Sequence, residues 1–313
     1  MCTWSSLICI MSIPLFFQPG CAVKKPARQV VANGSVIHQN RSDSSYILRV
    51  HNISVSIDPN AGGRIISFKL EGKEQLSSKS VHPKYYGSSL WLSPQSIYNK
   101  QLEAFDNLKY KGLIKNPYLY LQSEADKVNG FQIEKRFYGN IADTSIHIRY
   151  TITNVSDSVR WLAPWEVTRV PVDGLSFFPK GGDKPLPKSN LLIYDSIGII
   201  WYPYNHSAIF SSQKLFMDGS EGWLAHVKNR VIFIKQFPEI IHAQAAPGEA
   251  DVEIYANKEK TYIELENQGA YQAILPSKSV TWEVKWYLRN LPANIQVETG
   301  NSTLINYVRK IIR

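Results

Sequence analysis

Hydrophobic and polar positions alternate along most of this chain with the two-residue period of β-strands, whose successive side chains point to opposite faces. The clearest case lies near the end. Val280, Trp282, Val284, Trp286 and Leu288 share one face, opposite Thr281, Glu283, Lys285, Tyr287 and Arg289. This predicts a half-buried strand with Trp282 and Trp286 in the core. Just before it, Ile263 and Leu265 oppose Tyr262, Glu264 and Glu266. A strand here sets two carboxylates roughly 6–7 Å apart on one face. Residues 144–152 alternate as well, with Ile146, Ile148, Tyr150 and Ile152 against Ser145, His147, Arg149 and Thr151.

The rest follows the same rhythm. Tyr46–Ile57 and Arg64–Leu70 read as strands, separated by the turn Asp58-Pro-Asn-Ala-Gly-Gly, and Glu71-Gly72-Lys73 reads as a tight hairpin turn. Residues 77–117 are irregular but rich in aromatics, among them Tyr85, Tyr86, Trp91 and Tyr110, as binding loops often are. Strands resume at residues 118–121, 131–138 and 161–170. Residues 171–190, with several Pro and Gly, read as loop. Further strands are expected around 191–195, 197–202, 207–211, 222–227, 230–236, 251–255, 260–266, 270–275 and 279–289. The tail alone reads as a helix, capped by Asn301 or Ser302, with Leu304, Ile305, Val308, Ile311 and Ile312 at helical spacing. Roughly 15–20 short strands with few helices predict an all-β fold, a large antiparallel β-sandwich with a short C-terminal helix. No repeat or change of composition divides it, so residues 45–313 read as one domain.

Composition sharpens the two ends of this picture. At 313 residues and 44% hydrophobic, the chain can bury a large core. All three cysteines, Cys2, Cys9 and Cys21, stand at the N-terminus. The apolar run Leu7–Phe17 has the length of a signal-peptide core and is too short to span a bilayer. Pro19-Gly20-Cys21 follows it, as at a bacterial lipoprotein cleavage site. The expectation is therefore a lipoprotein-type signal peptide over 1–20, lipidation at Cys21, a polar tether over 21–44 that leads into a first hairpin, and an exported protein held on the cell envelope, at the outer membrane on its periplasmic or surface side. Cleavage there leaves no other cysteine, hence no disulfide and no thiolate metal site. The net charge of +9 is scattered rather than gathered in a stripe, so no nucleic-acid partner is expected.

Most chemistries leave no trace. There is no glycine-rich phosphate loop, no G-x-S-x-G elbow and no H-E-x-x-H. Asp58, Asp173 and Asp183 lie near glycines without a twelve-residue calcium loop, so neither a metal nor another cofactor is expected. The unusual run is Trp165-Glu-Val-Thr-Arg169. On a strand, Trp165 and Arg169 share one face, and Glu166 and Thr168 the other. Sugar rings stack their C–H patches on aromatics and present hydroxyls to planar hydrogen-bonding groups, which Trp, Glu and Arg supply. Trp91 with Gln95 in L-W-L-S-P-Q fits a cleft mouth in the same way. Arg64 reads as a structural turn residue. His147 and His226 sit on strands, and nothing in the sequence aims either at a cleft.

Three segments in order, Asp58-Pro-Asn-Ala-Gly-Gly-Arg-Ile-Ile-Ser-Phe, then Ile148-Arg-Tyr-Thr-Ile-Thr-Asn with Val159-Arg-Trp-Leu-Ala-Pro-Trp-Glu, then E-L-E-N-Q with L-P-S-K-S-V-T-W, resemble the galactose mutarotase-like (aldose 1-epimerase-like) superfamily. The resemblance is nearest to its exported bacterial members. It implies a β-supersandwich and a carbohydrate partner, a mono- or oligosaccharide, held in a cleft. Epimerases of the family work with a histidine acid and a glutamate base. Glu266 matches the glutamate, with Glu264 on the same face, whereas Pro164-Trp165-Glu166 has no histidine where the family's strand carries one. The first expectation is an exported carbohydrate-binding or accessory protein using Trp165, Arg169, Glu264, Trp91 and Gln95. The alternative is a sugar-active enzyme, an epimerase variant, lyase or hydrolase, with Glu266 and Glu166 as catalytic carboxyls. A structural protein of the envelope is the third.

Overall fold

The computed structural model of the chain describes Met1 and residues 30–32, 35–98, 102–182 and 184–313. The expected leader and Cys21 otherwise lie outside these residues, as does Asp183. Two antiparallel sheets face one another. The first has 12 strands, and its main path runs from Val30–Ala32 and Ser35–Gln39 through Tyr46–Val50, Ile53–Asp58, Arg64–Leu70, Ser88–Ser93, Arg160–Pro171, Tyr262–Gln268 and Val252–Ala256 to Gln213–Met217. The second has 10, from Tyr194–Ser196 and Ile199–Pro203 through Leu175–Pro179, Trp223–Lys228, Val231–Gln236, Ser279–Asn290, Ser145–Asn154 and Phe131–Asn140 to Tyr118–Gln122 and Lys111–Lys115. The hairpin of Val30–Ala32 with Ser35–Gln39 already falls within the stretch read as tether.

Alternation builds the core as expected. In Phe131–Asn140 every second residue is buried, and Ser145–Asn154 pairs with it over its full length. Ile148, Tyr150, Trp282, Val284 and Trp286 fill the space between the sheets. Phe68, Phe233 and Trp286 meet there at ring distances of 5.0–5.3 Å. The opposite face of the second sheet is also covered. Helix Ser302–Ile312, capped by the Asn301 side chain accepting from Thr303 and Leu304, lays Leu304, Ile305 and Val308 into a second core with Ile232, Ile234 and Tyr287.

Several expectations about elements fail. The stretch 77–117, read as irregular, holds the strands Ser88–Ser93 and Lys111–Lys115 and the short helices Gln95–Tyr98 and Leu102–Asn107, so the tail is not alone in being helical. Leu175–Pro179 lies inside the stretch read as loop, yet it is a wholly buried strand of the second sheet. It packs toward both cores, so it shows no alternation, and Pro and Gly flank it. Residues 207–211 do not form a strand. Asn205 caps a short 3-10 turn at His206–Ala208, and the strand starts later, at Gln213–Met217. The aromatic loop divides: Tyr86, Tyr98, Phe105 and Tyr110 are core, while Tyr85 and Trp91 are only partly buried. Arg64 is structural, with its guanidinium on the Lys84 and Tyr86 carbonyls and on Asp106.

Candidate functional site

Register decides which side chains meet on the outer face of the first sheet. Trp165 pairs with Trp91 on one side and Gln268 on the other. Arg169 pairs with Glu264, Glu264 with Tyr255, Tyr255 with Lys214, and Glu266 with Glu253. Since side chains alternate, all of these project from the same face. They form the base of a cleft of about 400 Å3, lined among others by Tyr85, Trp91, Gln95, Trp165, Lys214 and Glu264. That volume lies within the range of about 300–1,000 Å3 usual for small-ligand pockets.

The aromatic side is held rigidly. Trp91 meets Trp165 edge to face at 5.3 Å and donates its indole N–H to Asp106 at 2.6 Å. Asp106 is also the partner of Arg64, so the turn arginine indirectly fixes Trp91. Arg169 is fully buried. Its Nε donates to Glu264 Oε1 at 2.8 Å, one Nη donates to Ser89 at 3.1 Å, and its guanidinium stacks 4.7 Å from the centre of the Trp91 ring. Burial raises the Glu264 carboxyl above its ordinary range, and Arg169 opposes that rise. Gln95 is placed through its backbone N–H, which donates to Glu249.

The polar side centres on Lys214, a residue that the pattern reading does not single out. Its Nζ lies 2.7 Å from Glu253 Oε2 and 2.9 Å from Glu266 Oε2. It also sits over the Trp165 and Phe216 rings at 4.8 and 4.9 Å. Burial works against this charge, but the two carboxylates outweigh it and hold Lys214 protonated. Glu266 is fully buried, and burial pushes its carboxyl up to about 7 against the pull of Lys214. Gln268 extends the network by donating to Glu253 and Glu249. Lys214 and Glu264 thus offer a donor and an acceptor to the cleft, and Glu266 lies behind the ammonium it holds.

Glu166 does not belong to this site. It stands one residue from Trp165 and Val167, so it points into the space between the sheets. There its carboxylate accepts from Tyr150 and from Trp286 Nε1 at 3.1 Å and pairs with Lys235 at 3.0 Å, all out of reach of solvent. Two carboxyls on opposite faces of a sheet cannot share a substrate, which removes the expected partnership of Glu166 with Glu266. Neither strand histidine reaches the cleft. His147 lies on the far sheet against Tyr138, and His226 is buried against Ser176 beside a different cavity. His82 does approach: its ring lies 4.8 Å from Tyr85 and 5.8 Å from Tyr262, both of which line the cleft. Among the described residues, no group of three or more His, Cys, Asp or Glu is arranged to hold a metal ion.

No protein-family model matches the sequence, and no curated protein matches it. Solved structures do. A proposed aldose 1-epimerase from Klebsiella pneumoniae is similar over 93% of this chain and 92% of its own, at 11% identity and a TM-score of 0.58. A proposed aldose 1-epimerase from Escherichia coli matches 79% of this chain and 99% of its own, at 11% identity and a TM-score of 0.57. A galactose mutarotase related enzyme from Lactobacillus acidophilus matches 81% and 99%, at 12% identity and a TM-score of 0.54. The fold of this chain is accordingly the galactose mutarotase-like supersandwich.

Proposed function

We propose that this protein binds carbohydrate in the cleft of its first sheet, without turning it over. One observation carries the reading: the partly exposed Trp91 ring borders a floor where Lys214 and Glu264 offer a fixed donor and acceptor, while Trp165, 1% exposed, is buried beneath Trp91 and Lys214 and supports them rather than facing a ligand. Aromatic faces accept the C–H side of a sugar ring, and the charged groups take its hydroxyls. The fold neighbours that carry sugar-epimerase names are consistent with a sugar ligand. An enzyme reading has less support, because its two carboxyls face opposite sides of the sheet. A glycan array tests the proposal, with at least one glycan expected to bind wild type and to be markedly weakened in Trp91→Ala. An array without signal for either protein contradicts it.

We further propose that the chain is exported and anchored to the envelope through a lipid on Cys21, as the run Leu7–Phe17 and the Pro19-Gly20-Cys21 that follows it suggest. Expressed in a Gram-negative host, the wild type is expected to incorporate labelled palmitate and to sediment with membranes. Cys21→Ser is expected to do neither. Equal labelling of both would contradict the anchor.

A further inference from the structure

A second cavity, of about 280 Å3, opens beside the edge strand Gln213–Met217. Successive residues of a strand face opposite ways, so Gln213 serves this cavity while Lys214 serves the cleft. Its walls include Tyr194, Tyr202 and Tyr204, the amides Asn205 and Gln213, and the apolar Leu192. No formal charge stands among these side chains, in contrast to the cleft.

Two features mark it as more than a surface dent. Tyr202 is 2% exposed, yet neither its hydroxyl nor that of Tyr204 has a hydrogen-bond partner in the protein. A buried phenol normally finds one, because leaving it unmade costs free energy. The two rings stand nearly perpendicular, 6.5 Å apart. Burial raises the pKa of Tyr202, as does the neighbouring Tyr204, so both hydroxyls stay protonated and able to donate. The amides are oriented, Gln213 by donating to the Ala208 carbonyl and Asn205 by accepting from the Ser207 N–H. At the rim, Tyr194 and Leu192 are more than half exposed, and Phe210, next to the lining residue Ile209, is 88% exposed.

We propose that this cavity is a second carbohydrate site, independent of the cleft, which takes one uncharged pyranose ring. Tyrosine faces accept the ring's C–H patches, and the phenols and amides provide uncharged donors and acceptors for hydroxyls. A charged ligand would find no counter-ion among these walls. The volume lies near the lower end of small-ligand pockets, about 300 Å3, which suits one ring rather than a longer glycan.

Saturation-transfer NMR with the methyl glycosides of glucose, galactose and mannose, and with sodium glucuronate as charged control, tests this. The double variant Tyr202→Phe/Tyr204→Phe keeps both rings and removes only the hydroxyls. The cleft is disabled separately by Trp91→Ala, which leaves the buried Lys214–Glu253–Glu266 cluster intact, and denaturant titration confirms that this cleft variant is folded. At least one neutral methyl glycoside is expected to bind the cleft variant as it binds wild type, glucuronate is not, and the phenylalanine pair is expected to lower affinity about tenfold, the weight of two hydrogen bonds. The proposal is overturned if no neutral glycoside binds the cleft variant, if glucuronate binds it equally well, or if the phenylalanine pair leaves affinity unchanged.

Discussion

Lys214 keeps its charge on a largely buried sheet face because Glu253 approaches it from the adjacent strand and Glu266 from the strand beyond that one. Removing either carboxyl would leave a poorly solvated ammonium, which is why the three act as one unit. Glu166 follows the same logic on the opposite face, where its partner is Lys235. The Lys235 ammonium also donates to Thr168 Oγ1 and to the Leu265 carbonyl, so it is fixed between the sheets. Glu166→Gln is therefore expected to lose about 3–5 kcal/mol of stability, the usual result of breaking a fully buried ion pair. Sugar affinity of the folded protein is expected to stay unchanged. Urea unfolding and titration calorimetry on the same sample check both halves, and a loss of affinity without loss of stability would return Glu166 to the site. The sequence placed Glu166 and Trp165 on opposite strand faces, but could not say which face meets the other sheet. Lys214 was illegible for a related reason: a lysine in a short strand looks like a surface residue until its acidic partners, far along the chain, are brought beside it.

Elements with one wet face were readable because burial on one side imprints a period of two on the sequence. The strands Ser279–Asn290, Phe131–Asn140 and Ser145–Asn154 were legible from it, while the pairing of the last two with each other is seen only in the structure. Leu175–Pro179 was missed because the helix Ser302–Ile312 covers the outer face of its sheet, so both of its sides are apolar. The helix was legible, since its buried residues recur at helical spacing and Asn301 precedes them. Asn301 accepts from two backbone N–H groups, at 2.9 and 3.2 Å. Asn301→Ala is expected to cost about 1 kcal/mol. The helix seals the second core and does not touch the cleft, so the change is expected in the unfolding midpoint alone. A stability equal to wild type in denaturant titration would mean that the cap contributes nothing.

At the scale of the whole molecule, the first sheet does two jobs. Its inner face closes the sandwich with Leu90, Val170 and Leu265, and its outer face carries the cleft. That division was legible as a fold, through strand patterns and three short segments in order. The cleft was legible only in part. Trp91, Gln95, Trp165, Arg169, Glu264 and Glu266 do gather on the outer face, but Lys214, Phe216 and Asp106 come from stretches whose role emerges only after folding. The central claim is that aromatic walls over a fixed lysine and glutamate hold a sugar. Titration calorimetry of the strongest array ligand against wild type, Trp91→Ala and Glu264→Gln tests it most directly. Saturable binding by wild type, weakened at least tenfold in Trp91→Ala and measurably in Glu264→Gln, is the predicted result. Equal affinity for all three proteins would contradict it.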